Sequence, residues 1–177
     1  MKKYNKCSQF SLPCAYPIPE PPEPKIYSAF RAVSTALTPQ TVNAANTQVQ
    51  YQTEQYDLRD EYLTTAIIGP PAIPASTFIP KSNGIYDIIA SVEFLSSAAT
   101  FVAYDLVISI TVGGTAVASD NEHFAVSTNN IVSVSTNIQL KAGDQVQVFV
   151  TSTATGTIVS NRAATRFEAT RLPSPII

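Results

Sequence analysis

An all-β fold, an antiparallel sandwich or jelly roll, is what the sequence predicts, and three observations predict it. Apolar residues recur with period two in three successive segments, chain-reversal signals separate those segments, and no proline falls between Pro80 and Pro173. Alternation of apolar and polar residues is the pattern of a strand with one face in a core. A span free of proline is what continuous ladders require, because proline cannot donate to them.

The segments follow in order. In "FVAYDLVISITV" (101–112), Val102, Tyr104, Leu106, Ile108, Ile110 and Val112 are apolar, and Asp105, Ser109 and Thr111 alternate with them. In "IVSVSTNIQL" (131–140), Val132, Val134, Ile138 and Leu140 alternate with Ser133, Ser135, Asn137 and Gln139. "QVQVFVTS" (145–152) repeats the pattern with Val146, Val148 and Val150. Gly113-Gly114 can supply the positive φ angles of a two-residue primed turn. Lys141-Ala142-Gly143-Asp144 and Ala154-Thr155-Gly156 are read as closing two further hairpins. "TEQYDLRDEYLTTA" (53–66) is expected to be a loop with short strand pieces, and "SDNEHFAV" (119–126) a polar loop.

Composition sets the domain plan. The 177 residues suffice for one domain and a short appendage, and 45% hydrophobic against 14% charged residues allow a core beneath a neutral, polar surface. Six of the 13 prolines lie between Pro13 and Pro24. Their fixed φ and missing amide protons predict an extended spacer, so residues 1–25 are read as an arm and 26–177 as the sandwich domain. A net charge of −2 with no basic run argues against nucleic acid. No apolar run is long enough to cross a bilayer, and "MKKYNKCSQFSLPCAYPIP" does not read as a secretory signal, so synthesis in the cytoplasm is expected, with any display on a surface coming from assembly or release rather than from membrane insertion.

Little catalytic chemistry is on offer. With one histidine, two cysteines and no tryptophan, most acid–base and nucleophilic constellations are unavailable. His123 beside Glu122 has no third orienting group in sequence and is read as loop polarity. A hydrolase on this scaffold would need paired carboxylates that no recognisable motif supplies. Two carboxylate groups are weak calcium candidates: Asp120 with Glu122, and Glu54, Asp57, Asp60 and Glu61; neither has EF-hand spacing. Cys7 and Cys14 are too few ligands for zinc and read either as free thiols or as crosslinks to a neighbouring chain under oxidising conditions.

"STFIPKSNGIYDIIASVEF" (76–94) carries the most specific signal. Phe78, five intervening residues and then Gly84-x-Tyr86 resemble the F-x(5)-G-x-Y signature of the complement C1q globular head, a family that shares its jelly roll with tumour necrosis factor. Further pieces fall in that family's order: "YSAFRA" around Phe30, "VQYQTEQYD", "LKAGDQVQVFV" around Gly143-Asp144, and "RFEATRL" around Phe167, with Ala169 in place of glycine. Together they span residues 27–172. An insertion, "TTAIIGPPAIPA" (64–75), separates Tyr62 from Phe78, and Ile88 and Ala90 stand where the family has aromatics. Gly84 is expected to adopt a conformation closed to residues with a Cβ, letting Phe78 and Tyr86 stack inside the sandwich.

The resemblance implies a tight homotrimer without enzymatic activity, and calcium near the apex in some members. Val107, Phe149 and Ala103, on the outward side of their strands, are more apolar than a solvated face needs and are read as trimer contacts, with Tyr86 reaching for the axis. The leading expectation is a structural or adhesive head on a spore layer, fibre or virion, tethered to other surface proteins by its arm. The alternative is a module that binds glycans or proteins through end loops and intersubunit grooves, with Tyr56 and Tyr62 as contact residues.

Overall fold

The computed structural model describes residues 27–97, 102–125 and 129–173 and contains thirteen strands in two antiparallel sheets. Cys7, Cys14 and the proline-rich arm lie outside the described residues.

The seven-stranded sheet is organised around its longest member, β7 (Gly84–Ser96). Along one edge β7 pairs with β10 (Asn129–Leu140) in an unbroken register from Leu95↔Asn129 to Gly84↔Leu140. Its other edge is shared: β13 (Arg166–Arg171) takes the first half and β12 (Gly156–Ile158) the second. β1 (Ala29–Val33) and β4 (Thr53–Asp57) continue outward from β13, and β2 (Gln40–Val42) from β12. The six-stranded sheet has β11 (Val146–Ser152) and β8 (Tyr104–Val112) at its centre and β9 (Thr115–Phe124) at one edge. On the other side of β11 stand β3 (Thr47–Gln48), β6 (Thr77–Phe78) and, beyond β6, β5 (Tyr62–Leu63).

Period two does what it should. In β7, Tyr86, Ile88, Ala90, Val92 and Phe94 are sealed in the core, and in β8 Leu106, Ile108 and Ile110 are. Val102 precedes β8 and is exposed, so the first apolar position of that segment is not an inward one. Gly113 and Gly114 have φ of 57° and 82°, which lets two residues close the β8–β9 hairpin.

Two of the expected hairpins are crossovers instead. The turn at 141–144 is well formed: Lys141 N donates to Asp144 Oδ2 (2.8 Å), Asp144 N to Lys141 O (3.1 Å), and Gly143 takes a φ of 91°. Yet β10 pairs with β7 and β11 with β8, so this turn carries the chain from one sheet to the other. The 153–155 turn does the same between β11 and β12. Turn chemistry dictates that the chain reverses; which sheet each strand joins is decided by its pairing with strands distant in sequence, β7 for β10 and β8 for β11. The 141–144 turn docks on the loop before β7 through Gly143 N to Pro80 O (2.9 Å) and Ala142 N to Asn83 Oδ1 (2.8 Å).

The residues of the C1q-like pattern converge inside the sandwich. Phe30 stacks on Tyr62 (4.9 Å between centroids) and Phe78 (4.7 Å) and meets Phe167 edge-on (5.0 Å). Phe78 and Tyr86 come from opposite sheets and form a T-shaped pair at 5.6 Å. Tyr86 is therefore a side chain of its own core, its hydroxyl donating to Ser82 O (2.8 Å), and does not reach for an axis. Gly84 does not have a positive φ. A Cβ there would lie 2.5 Å from Arg171 Nε, so the glycine makes room for a guanidinium that donates to Asn83 O from Nε (3.2 Å) and from its terminal nitrogen (3.0 Å).

Candidate interaction surface

The outward face of the seven-stranded sheet is the broadest continuous surface, and cross-strand register fixes what it displays. One row runs Ser135, Ile89, Glu168, Arg31, Tyr56 across β10, β7, β13, β1 and β4. On β7 and β10 the face is mixed: Ile85 is 50% exposed, Leu95 43% and Ile131 53%, with half-buried Asp87 between Ile85 and Ile89. Between them β10 presents Ser133, Ser135, Asn137 and Gln139, all uncharged. An edge strand of twelve residues with neither charge nor proline has none of the usual protection against a partner.

Charge on this face is confined and partly unsatisfied. Arg166 Nε donates to Glu168 Oε1 (3.3 Å) and Arg31 Nε stands 3.6 Å from Glu168 Oε2. Arg31 Nε is buried without a hydrogen-bond partner. One carboxylate thus serves two guanidinium groups. Glu93, also on this face, is buried and capped by neutral amides, Asn129 Nδ2 at 2.7 Å and Asn161 Nδ2 at 2.6 Å.

The opposite face, on the six-stranded sheet, is less apolar than the sequence suggested. Val107 and Phe149 are half-buried and sit among Asn121, Thr151, Ser109 and Gln48, while Ala103 is exposed but small. The larger exposed apolar side chains belong to the other sheet, because burial of a strand's second face depends on neighbours that alternation alone does not identify.

The two tyrosines proposed as contacts part company. Tyr56 is 44% exposed at the β4 end of the row above. Tyr62 is only 4% exposed, its ring stacked on Phe30 and its hydroxyl donating to Tyr51 O (2.8 Å), so it cannot meet a ligand. Burial pushes the phenols of Tyr51 and Tyr62 well above the ordinary tyrosine range.

Neither carboxylate group makes a metal site. Asp57 is spent on the turn after β4, accepting from Arg59 N, Glu61 N and Tyr62 N. Glu61 turns inward to accept from Ser28 Oγ and from Lys81 N (2.7 Å). Glu54 remains outside; burial, then Asp57 and Asp60, raises its pKa. Asp120 and Glu122 are not on a loop: they belong to β9, opposite Ile108 and Leu106. Glu122 and His123, being consecutive on a strand, point to opposite sides, and His123 Nδ1 instead meets Asp105 at 2.8 Å across the ladder. Among the described residues no three His, Cys, Asp or Glu side chains gather where a metal could be held. The same residues include no helix long and apolar enough to cross a membrane.

The insertion forms an exposed spur. Ile67 and Ile73 bond to each other through N to O contacts of 2.9 and 3.1 Å, and Ile68 at the tip is 97% exposed. No charged residue occurs from Tyr62 to Pro80.

The sheet order and the position of the two faces define a tumour-necrosis-factor-like jelly roll. Solved structures of that class superpose on it over most of the chain. Murine APRIL at pH 5.0 matches with a TM-score of 0.57 and 14% identity, covering 83% of this chain and 100% of that one. Eiger TNF from S. frugiperda matches with a TM-score of 0.55 and 10% identity over 86% and 99%. Murine APRIL at pH 8.0 gives 0.52 with 17% identity over 83% and 100%. No family model and no curated protein matches the sequence. The likeness is one of fold, and the jelly roll is the architecture that the C1q-like motifs implied.

Proposed function

We propose that this chain is a non-enzymatic, homotrimeric head that serves as a structural or adhesive surface module. The observation that carries the reading is the outward face of the seven-stranded sheet, where Ile85, Leu95 and Ile131 are each about half exposed beside the uncharged outward residues of β10. Finishing the burial of each side chain contributes roughly 1 kcal/mol, and three copies closing a ring complete that burial three times over. The trimer is also the assembly that the resemblance to C1q and tumour necrosis factor implies. Residues 1–25 then serve as three arms that tether the head to other surface proteins, with Cys7 and Cys14 available to lock them. A spore layer, fibre or virion is the kind of structure such a head would decorate.

Size-exclusion chromatography with light scattering on the full chain tests the assembly. A trimer is expected at micromolar concentration, and Ile85→Asp with Ile131→Asp should release monomers that keep the wild-type circular dichroism. A wild-type chain that stays monomeric sinks the reading.

The spur favours a second reading, a module that binds a protein or glycan. Ile67 and Ile68, with Tyr56 elsewhere, would be its contacts. Saturable binding in a pull-down or glycan array, lost in Ile68→Asp and Tyr56→Ala, would establish it.

A further inference from the structure

An apolar strip runs along the border of the seven-stranded sheet opposite to β10. Tyr56 and Leu58 are two residues apart and share the outward side, and Leu58 N donates to Ala29 O (3.0 Å), which sets Leu58 beside Ala29 of β1. Tyr27, two residues before Ala29, falls on the same side as a diagonal neighbour of Leu58. Tyr27 is 68% exposed and Leu58 59%, with Tyr56 as given above. The strip is about 14 Å long, in two steps of about 7 Å. Among the described residues β4 hydrogen-bonds only to β1, so the edge beside the strip is bare.

The proline-rich arm joins the head at Tyr27, the root of this strip, and carries a matching pattern. In "IPEPPEPKI" (18–26) a polyproline II helix, with three residues per turn, puts Ile18, Pro21 and Pro24 on one side and Glu20 and Glu23 on another. We propose that residues 18–24 lie back along the Tyr27–Leu58–Tyr56 strip of the same chain, with the Ile18–Pro21–Pro24 side inward and Lys25 and Ile26 at the reversal.

Length, order and charge agree. A type I turn needs only right-handed dihedrals at its two central residues, which Lys25 and Ile26 can both adopt, and it sets Pro24 within about 7 Å of Tyr27. From there Pro21 comes over Leu58 and Ile18 toward Tyr56, since residues 18–24 span about 19 Å as polyproline II. Prolines lack the N–H that a further strand would need, so the segment binds through side chains, the mode in which proline-rich peptides dock on aromatic surfaces. Glu54, Asp57 and Asp60 stand on β4 or in the turn after it, and they share their sign with Glu20 and Glu23. Like charge therefore turns the acidic side of the arm to solvent and leaves the apolar side for the strip. Docking also covers a bare sheet edge. The contact is made within one chain and does not depend on the trimeric reading; residues 1–17 remain as the tether.

The chain has no tryptophan, so one placed in the arm of the full chain reports directly on docking. Ile18→Trp should give blue-shifted emission and protection from acrylamide, whereas Glu20→Trp and Glu23→Trp should emit as in water. Adding Leu58→Asp should move the emission of the Ile18→Trp chain to that of the Glu20→Trp chain. Trypsin should cut after Lys25 at least about tenfold faster in Leu58→Asp than in the wild type, the factor expected when one buried leucine contact is lost. Should Leu58→Asp disturb the head by circular dichroism, Tyr56→Ser takes its place. Emission that is alike at 18, 20 and 23, or unmoved by the strip substitution, overturns the docking. A blue shift at 18 that grows with protein concentration gives the strip to a neighbouring copy and overturns docking within the chain. Neither result touches the trimer, which light scattering reads separately.

Discussion

Replacing Phe30 by alanine tests the organisation of the core most directly. The side chain has no exposed surface and touches three rings, stacking on Tyr62 and Phe78 and meeting Phe167 edge-on, with all three centroids within 5.0 Å. Those rings come from both sheets, so Phe30 fills the space between the layers where they could not collapse onto a cavity without moving whole strands. Truncation of a fully buried phenylalanine costs about 3–5 kcal/mol. Each lost ring pair adds about 0.5–1.5 kcal/mol beyond area, which places Phe30→Ala at the upper end, at about 5 kcal/mol. A typical domain has about 5–15 kcal/mol to lose, so the variant should be marginal at 25 °C. Phe30→Leu keeps most of the volume and should cost about 1.5 kcal/mol. Urea unfolding followed by circular dichroism, at one fixed protein concentration because assembly would contribute, gives both numbers. A loss below about 2 kcal/mol for Phe30→Ala would mean that the ring cluster does not bridge the layers as described.

Glycine positions make a sharper comparison. A Cβ at Gly156 would sit 2.3 Å from the Phe94 ring and 2.4 Å from Leu95 O, so Gly156→Ala forces backbone apart and should cost about 3 kcal/mol. Gly84→Ala meets only the movable end of Arg171 and should cost about 1 kcal/mol, the hydrogen bonds to Asn83 O; equal melting-temperature losses for the two would contradict this. Alkaline titration reads the buried phenols. Their folded pKa values are raised, so the stability they contribute is complete below the unfolded value near 10 and is lost as pH climbs through the folded one. Ionisation of Tyr51 and Tyr62, followed by tyrosinate absorbance, should therefore coincide with loss of circular dichroism; ionisation in a still-folded chain would refute their burial.

Much of this was legible before any coordinates. The inward residues of β8, β10 and β11 follow from alternation, and the Phe78–Tyr86 contact from the motif they share. Errors fell where a local pattern has two tertiary outcomes. Asp120 and Glu122 looked like loop residues because a strand at an open flank is free to carry polar side chains on the side that would otherwise be sealed. Tyr62 looked available because it lies among Gln, Glu and Asp, yet the turn capped by Asp57 swings it inward.

By itself, then, the sequence determined the class of fold, the inward residues of β8, β10 and β11 and the Phe78–Tyr86 pair at the centre, because strand periodicity acts within a few residues. Tertiary structure decided which turns are hairpins and which are crossings, where the apolar outer surface lies, and that Arg31 and Arg166 share one carboxylate. Those outcomes depend on pairings between residues up to a hundred or more positions apart, such as Arg31 with Glu168. They are settled by long-range pairing, as in the ladder of β7 with β10, which no local pattern specifies.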